Sequence, residues 1–325
     1  MRQFHSIAAL SLALLVTAHG QTPEAERDMV VVTLPGPAES AAIPDKQPTW
    51  QPALDSRNGL MWKASSTHST VYLLGSIHLG SREMYPLPEH IEEAFRQSSL
   101  LIVEVDLNKL NPATFQSLLA ANGLYPRQDS LWNHVSRSTR QLVVDFCGKH
   151  GLDAEVFARM KPWLAALATM LPSTPGQQDV VPGIDKYLLD EAGNGMRVEP
   201  LESVEYQWHL MASMPEVQQE RNLRSAVQNA GQGAEDFGKL QSYWLEGDAE
   251  KLNAYLTSSM REDPEYQKQV FSDRNPRMAA RAEQCLKNNE RCFVVVGAGH
   301  MVGKDGVVRL LRDRGYKVEQ VFAQP

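Results

Sequence analysis

The sequence predicts an α/β fold: a central mixed sheet with Gly-x-x-His turns at strand ends, and a large all-helical insertion. Three short apolar runs are typical of strands buried on both faces, namely Val71–Leu74, Leu100–Val105 and the CFVVV run that begins at Cys292. The first and third runs each lead into a Gly-x-x-His turn, which ends at His78 and at His300. Because ligands of α/β proteins bind beyond the carboxyl ends of the strands, these two turns mark the predicted site.

The composition is that of a globular domain. Hydrophobic residues make up 42% of the 325 positions and charged residues 22%, which is enough apolar material for a substantial core. The net charge of −7 gives no general attraction for nucleic acid or for an anionic membrane surface. Nucleic acid is therefore not expected as a partner.

The first 20 residues have the pattern of a signal peptide. Arg2 supplies the positive charge, Ile7–Val16 is an apolar run of ten residues, and small residues precede the expected cleavage after Gly20. The run is too short to span a bilayer, which takes about 20 residues. The sequence therefore predicts a periplasmic or secreted protein with no membrane anchor.

The rest of the chain divides into a linker and one domain. Residues 21–58 are predicted to be a Pro-rich linker, with five prolines between Pro23 and Pro48. Residues 59–325 are predicted to form the folded domain, with the helical insertion at about 108–275. The domain begins with a hairpin in which Met61 and Trp62 open the strand that pairs with Val71–Leu74.

The elements that follow the hairpin are predicted in order from helical spacing, caps and breakers. Pro86–Ser99 has proline and acids in its first turn, which favours an amphipathic helix before the strand Leu100–Val105. The predicted helices of the insertion are Pro112–Asn122, Ser138–His150, Ala154–Met160, Pro162–Leu171, Gly183–Gly195, Ser203–Met214, Pro215–Ala230, Glu235–Glu246, Glu250–Met260 and Pro264–Phe271, with a short strand at Met196–Leu201. Helices at Arg277–Lys287 and Asp305–Arg314 flank the strand at Cys292, and Tyr316–Phe322 is the last strand.

One acidic residue interrupts a buried strand. Glu104 lies near the end of the LLIVEV run, where a charge is costly unless it is paired or bound to a metal. The alternative is that Glu104 accepts hydrogen bonds from nearby backbone. Because parallel strands bring their carboxyl ends to one edge, we expect His78, Glu104 and His300 to converge.

Four further polar residues stand at the starts of predicted helices. Asp185 can cap its helix or favour the helix dipole, and Glu202 can be a simple helix-start acid. Arg274 and Asn275 can cap the next helix, or they can present a planar fork to a carboxylate or carbonyl. The residues alone leave these alternatives open.

Three cysteines follow the predicted signal peptide. Cys285 ends a predicted helix and Cys292 begins a strand, so a disulfide can bridge the tight turn between them in an oxidising compartment. Cys147 has apolar helix neighbours and is predicted to stay free and buried. A phosphate loop, a dinucleotide fingerprint, a His-Glu-x-x-His motif and a Gly-x-Ser-x-Gly motif are all absent from the sequence.

An ordered set of motifs resembles the TraB/GumN family, whose animal relatives are the Tiki metalloproteases. The motifs are VYLLGSIHLG with the following YPLP, LLIVEVD, GIDKYLLDEA, PLESVEYQ, the Arg274-Asn275 pair and VVVGAGHMVGKDGVVRLL, from about Leu60 to Phe322. The resemblance implies a fold related to erythromycin-esterase-like and haem-binding ChaN-like proteins. It also implies a site built from two Gly-x-x-His histidines and a strand-end glutamate, here His78, His300 and Glu104. The residues at further motif positions are Asp185, Glu202, Arg274 and Asn275.

The expected function is a metal-dependent hydrolase, in the first instance a peptidase, that acts on a peptide or another small extracytoplasmic substrate. A divalent metal (Mn, Co or Zn) on His78, Glu104 and His300 would activate water and polarise a carbonyl. Glu202 or Asp185 would be the general base or an orienting residue, and Arg274 would stabilise an oxyanion, with Asn275 beside it. Two alternatives are a metal-free esterase-type hydrolase with His78 and Glu104 as acid and base, and a haem- or ligand-binding protein with an axial histidine.

The signal peptide yields the first prediction. Exported protein should begin near Gln21, because the apolar run is followed by a small-residue cleavage pattern. N-terminal sequencing of the exported material checks this. An intact segment from Met1 to Gly20 on exported protein would contradict it.

Overall fold

A computed structural model of the chain describes residues 57–169, 180–193, 195–261 and 263–323. The predicted signal peptide and nearly all of the predicted linker lie outside these residues. The predicted α/β class is confirmed, since many helices surround a central mixed sheet of six strands. The sheet strands are β1 (Met61–Ser65), β2 (Thr70–Ser76), β4 (Leu100–Val103), β6 (Arg197–Pro200), β7 (Cys292–Gly297) and β8 (Lys317–Val321), and a separate pair consists of β3 (Leu79–Ser81) and β5 (Val180–Pro182).

The order of the strands is β6-β4-β7-β2-β1-β8. Strands β6, β4, β7 and β2 are parallel neighbours, whereas β1 is antiparallel to both β2 and β8. Strand β7 is buried along its whole length, which explains its unbroken apolar run. In the register, Val295 pairs with Leu74 on one side and with Val103 on the other. The carboxyl ends of β2, β4 and β7 therefore lie side by side at one edge of the sheet.

Fourteen α-helices are present among the described residues. They are α1 (Glu89–Arg96), α2 (Pro112–Leu118), α3 (Arg137–His150), α4 (Ala154–Ala158), α5 (Pro162–Ala168), α6 (Ile184–Ala192), α7 (Val204–Ala212), α8 (Glu216–Asn229), α9 (Gly233–Glu246), α10 (Ala249–Ser259), α11 (Pro264–Gln267), α12 (Asn275–Asn288), α13 (Ala298–Met301) and α14 (Val307–Asp313). A π-helical turn, Lys268–Ser272, follows α11. None of these helices combines the length and the apolarity needed to cross a bilayer.

The helices of the predicted insertion fall into two groups. Strand β6 lies within that segment and pairs with β4 in the central sheet. Helices α2–α6 come before this strand, and α7–α11 come after it. The buried ring of Trp208 packs edge-on against Phe115 and Trp163, with centroid distances of 5.6 Å in both pairs. Trp244 Nε1 donates a hydrogen bond of 2.7 Å to the carbonyl oxygen of Gly75. These contacts fix the helices to each other and to the end of β2.

A close backbone contact fixes α6 against the loop that carries His78. Strands β3 and β5 pair antiparallel, and Ile184 N then donates a 3.1 Å hydrogen bond to Ile77 O. A Cβ at position 183 would lie 2.3 Å from the carbonyl carbon of His78, so glycine is required there. Asp185, in the first turn of α6, is thereby held next to His78.

The predicted disulfide is confirmed. Cys285, near the end of α12, is bonded to Cys292, the first residue of β7, with a Cα–Cα distance of 6.2 Å. This distance is within the range that an ordinary disulfide spans. Cys147 is free and buried, as predicted.

Reduction of this disulfide should lower the free energy of unfolding by roughly 2–3 kcal/mol, because it releases a loop closed across seven positions. Urea unfolding with and without reductant measures the difference, and thiol counting on unfolded, non-reduced protein should find one free thiol. Cys147→Ala is the matched control, since its stability should keep the same sensitivity to reductant. Three free thiols in the non-reduced protein would contradict the prediction.

Candidate functional site

Residues that follow four of the strands lie in or directly behind one cavity. Glu104 directly follows β4, His78 follows β2 by two residues, Glu202 follows β6 by two residues, and His300 lies in α13 directly after β7. His78, Glu104 and His300 line the same cavity, together with Arg274. Glu202 lies behind it, where its backbone N–H donates a 2.9 Å hydrogen bond to the Glu104 carbonyl oxygen.

Gly297 keeps the space between the three predicted ligands open. A Cβ at this position would lie 3.4 Å from His78 Nε2, 3.6 Å from Glu104 Oε2 and 3.7 Å from His300 Cδ2. These are ordinary contact distances, so a methyl group would fit there and occupy the space that the three side chains face. The glycine of the second Gly-x-x-His turn therefore has a spatial role in the site.

His300 is held as a neutral imidazole. Its Nδ1 lies 2.6 Å from Asn275 Oδ1, and Asn275 Nδ2 donates to the Asp305 carbonyl oxygen at 2.8 Å. Because Nδ2 must face that carbonyl, Oδ1 faces His300 and Nδ1 carries the proton. Burial lowers the pKa of His300 to about 3. The lone pair of Nε2 is therefore available to bind a cation at neutral pH.

His78 is oriented by a carboxylate. Its Nδ1 lies 3.3 Å from Asp185 Oδ1, and the two side chains are 22% and 10% exposed. Burial acts to lower the pKa of His78, but the negative charge of Asp185 and the hydrogen bond to it raise the pKa above its ordinary value. The carboxylate can only accept, so the proton lies on Nδ1 and the Nε2 of a neutral His78 is free for a ligand.

Arg274 lies between two buried glutamates. Its Nη2 donates to Glu104 Oε1 and to Glu202 Oε2, the latter at 2.5 Å, while Nε donates to Glu202 Oε1 at 2.8 Å. Nη1 donates to the Val270 carbonyl oxygen at 2.8 Å. The side chains of Arg274, Glu104 and Glu202 are 5%, 7% and 4% exposed. Of the two alternatives that the sequence left open for Arg274, the structure favours the planar fork over the helix cap.

The charges around Glu104 keep it ionised. Burial acts to raise its pKa, but Arg274, the histidines when they are protonated at low pH, and the N–H of Gly297 together hold the pKa well below its ordinary range. The Gly297 N–H donates to Glu104 Oε2 at 3.1 Å. Glu104 thus accepts a backbone hydrogen bond, as one alternative held, and is also paired with an arginine.

The formal charges of the site do not cancel. Glu104, Glu202 and Asp185 contribute three negative charges, and Arg274 contributes one positive charge, which leaves −2 when both histidines are neutral. An uncompensated buried charge is costly. One divalent cation would balance it, and the neutral imidazoles and the carboxylate are donors that Zn²⁺, Mn²⁺ and Co²⁺ accept. The residues present therefore fit the expected cation in donor type and in charge.

The donor atoms of His78, Glu104 and His300 do not surround a common point in this structure. His300 Nε2 lies 3.8 Å from Glu104 Oε1, but the set with His78 does not bring all three atoms within 4.8 Å of one another. Among the described residues, Cys285, Glu290 and Cys292 meet that limit, and both cysteines are consumed by the disulfide. Coordination by His78, Glu104 and His300 therefore requires a side-chain rotation, and His78 is the most exposed of the three.

Sequence reasoning missed Gln207, which lies at the centre of the polar cluster. Its Nε2 donates to Glu104 Oε1 at 2.7 Å and to Glu202 Oε2 at 3.1 Å. The signal was available, because Val204, Gln207, Trp208 and Met211 are the buried face of α7 and Gln207 is the polar member of that stripe. A polar residue on an apolar stripe indicates a buried hydrogen-bonding partner.

The fold and the cavity define an α/β protein whose buried, net-negative polar site lies at the carboxyl edge of parallel strands. The chain belongs to the TraB/PrgY/gumN family, whose profile matches residues 60–320. This agrees with the resemblance seen in the sequence motifs.

The relatives of the chain are distant. The metalloprotease TIKI2 of Danio rerio is 26% identical to it over 323 residues, with 82% of this chain and 62% of the relative covered. The metalloprotease TIKI1 of Homo sapiens is 24% identical, with 84% and 64% covered. The uncharacterized protein YbaP of Escherichia coli (strain K12) is 25% identical, with 74% and 87% covered. The chain thus spans about three fifths of the length of the Tiki proteins that it matches. No solved structure was found to match it.

Arg274→Met should lower the free energy of unfolding at pH 7 by about 3–5 kcal/mol, because it leaves two buried carboxylates unpaired. In the natural protein the depressed pKa of Glu104 contributes stability above about pH 4.5, which is lost as the pH falls. Without the arginine, burial and the second carboxylate should raise that pKa instead. The stability gap between variant and natural protein should therefore narrow as the pH is lowered from 7 to 5 in urea titrations.

Arg281→Met is the matched control for this prediction. Arg281 pairs with Glu199, whose side chain is 41% exposed, so its removal should cost no more than about 1 kcal/mol, with little dependence on pH. An equal loss of unfolding free energy in the two variants would contradict the importance assigned to the Glu104–Arg274–Glu202 cluster.

Proposed function

We propose that the protein is a metal-dependent hydrolase that cleaves peptide bonds, with His78, Glu104 and His300 as the ligands of a divalent cation. One observation carries the proposal: two imidazoles, each with its Nδ1–H held by another side chain, face an ionised carboxylate in a site of net charge −2. The similarity to metalloproteases named Tiki supports the same class of chemistry. A bound cation would lower the pKa of a water molecule and polarise a substrate carbonyl.

The remaining residues have supporting roles in this proposal. Asp185 and Asn275 fix the tautomer and orientation of His78 and His300. Arg274 holds Glu104 in place and donates four of its five N–H groups to protein acceptors, which makes it a positioning residue rather than the oxyanion donor expected from the sequence. Both oxygens of Glu202 are bound by Arg274, whereas Asp185 contacts His78 through one oxygen. Asp185 is therefore the better candidate for the general base.

A metal-free hydrolase is the second candidate function. The contact between Asp185 and His78 and the raised pKa of His78 are typical of a histidine that accepts a proton in catalysis. The haem-binding alternative makes a different prediction, namely a visible absorption band on the purified protein.

We also propose a periplasmic or secreted location. The disulfide between Cys285 and Cys292 supports it, because structural disulfides persist in oxidising compartments. The predicted signal peptide is consistent with this location.

The decisive experiment offers a mixture of synthetic peptides to chelator-treated protein, alone and with Mn²⁺, Co²⁺ or Zn²⁺, and identifies the products by mass spectrometry. Cleavage should require a cation and should be lost in His300→Ala. Gly297→Ala should also lose cleavage and cation binding, because its methyl group would occupy the space between His78, Glu104 and His300. Its stability should change by less than about 1 kcal/mol, since all three distances allow contact without a clash.

Gly238→Ala is the matched control for Gly297→Ala. A Cβ at position 238, inside α9, would meet no atom within 4 Å, so this variant should keep full activity and gain about 0.5–1 kcal/mol of stability. Cleavage that survives chelation and depends on His78 and Asp185 would replace the metal proposal with the metal-free one. Failure to cleave any peptide with any of the three cations would overturn the peptidase assignment.

A further inference from the structure

The orientation of the Gln207 amide is forced by its partners. Its Nε2 lies 2.7 Å from Glu104 Oε1 and 3.1 Å from Glu202 Oε2. Carboxylate oxygens accept hydrogen bonds, so the NH₂ group and not the carbonyl oxygen must face them. The carbonyl oxygen Oε1 consequently points away from both carboxylates.

Gln207 Oε1 has no hydrogen-bond donor in the described part of the chain, although the residue is only 4% exposed. A buried acceptor without a partner is costly, and native proteins rarely leave one unsatisfied. Ser76 Oγ is in the same situation at 3% exposure, and both residues line the cavity. The site therefore holds an unused acceptor on one residue and an unused hydroxyl donor on the other.

The side of the cavity formed by the helices is apolar. Helix α7 places Leu210 and Met211 three and four positions after Gln207, so the three side chains share one face of the helix. The neighbouring helices and the π-helical turn add Leu240, Leu252, Leu256, Val270 and Phe271. Among the described residues of α7, α9 and α10, Gln207 is the one polar side chain that lines the cavity.

From these observations we infer that the cavity recognises a secondary amide that carries an uncharged apolar side chain. Gln207 Oε1 accepts the hydrogen bond of the amide N–H, Ser76 Oγ donates to the amide carbonyl, and Leu210 and Met211 contact the apolar side chain. The inference rests on the proposed function, in that it treats this cavity as the substrate site. Its consequence is a preference for peptide bonds beside apolar residues over esters and over bonds beside charged residues.

The test measures binding to chelator-treated protein and so does not depend on catalysis. The probes are N-acetyl-leucine methylamide, its fully N-methylated analogue, which has no N–H, and N-acetyl-aspartate methylamide. In calorimetric titrations, the leucine amide should bind at least tenfold more tightly than either of the others. In Gln207→Met, the preference for the N–H-bearing amide over its N-methylated analogue should fall to less than twofold, because the acceptor is gone.

Two further variants keep the inference testable if Gln207→Met does not fold. Leu210→Asp changes a half-buried position. This variant should bind N-acetyl-lysine methylamide better than the leucine amide, and should still bind the N-methylated analogue less tightly than the N–H-bearing amide. Ser76→Ala should weaken all amides by a similar factor, since each of them carries the carbonyl. No binding of the leucine amide to the natural protein, or equal binding of the methylated analogue, would overturn the inference. Failure to hydrolyse peptides with added cations would instead count against the proposed function alone.

Discussion

The rest of the site depends on the ion pairs that Arg274 forms with Glu104 and Glu202. The glutamates stand at the ends of the neighbouring parallel strands β4 and β6, and the arginine stands at the start of α12. Without the guanidinium, two carboxylates would lie together in a buried position, which would destabilise this edge of the sheet. The pairing thus lets the fold place Glu104 where it faces His78 and His300.

The single arginine compensates only part of the negative charge. Two further positive charges would be needed for a neutral, purely structural network, because the site has a formal charge of −2 when both histidines are neutral. The low pKa of His300 prevents that histidine from supplying a positive charge at neutral pH. In the proposed function a bound cation supplies the missing positive charge, and a proton on His78, whose pKa is raised, would supply part of it in the absence of a cation.

The sequence predicts which side chains meet at the carboxyl edge of the sheet, but it does not predict which other residues they pair with. His78, Glu104 and His300 were expected to meet because each follows a buried strand, and strand direction alone determines which ends lie together. The role of Arg274 could not be decided, since it depends on carboxylates 72 and 170 positions away. The apolar stripe of α7 marks Gln207 as a buried position, but its partner Glu104 lies 103 positions away and could not be identified from the sequence. Local secondary-structure propensity carries no information about contacts between residues that are so far apart in the sequence.

Strand β7 comes from near the C-terminal end of the chain, yet it lies between β4 and β2. A chain that emerges from synthesis N-terminus first must leave the facing edges of β4 and β2 unpaired until β7 arrives. Contacts at such separations form slowly, because loop closure precedes the gain from pairing. A chain that ends before β7 lacks His300, so it cannot hold that residue together with His78 and Glu104. Assembly of the site therefore waits until β7 has entered the sheet between β4 and β2.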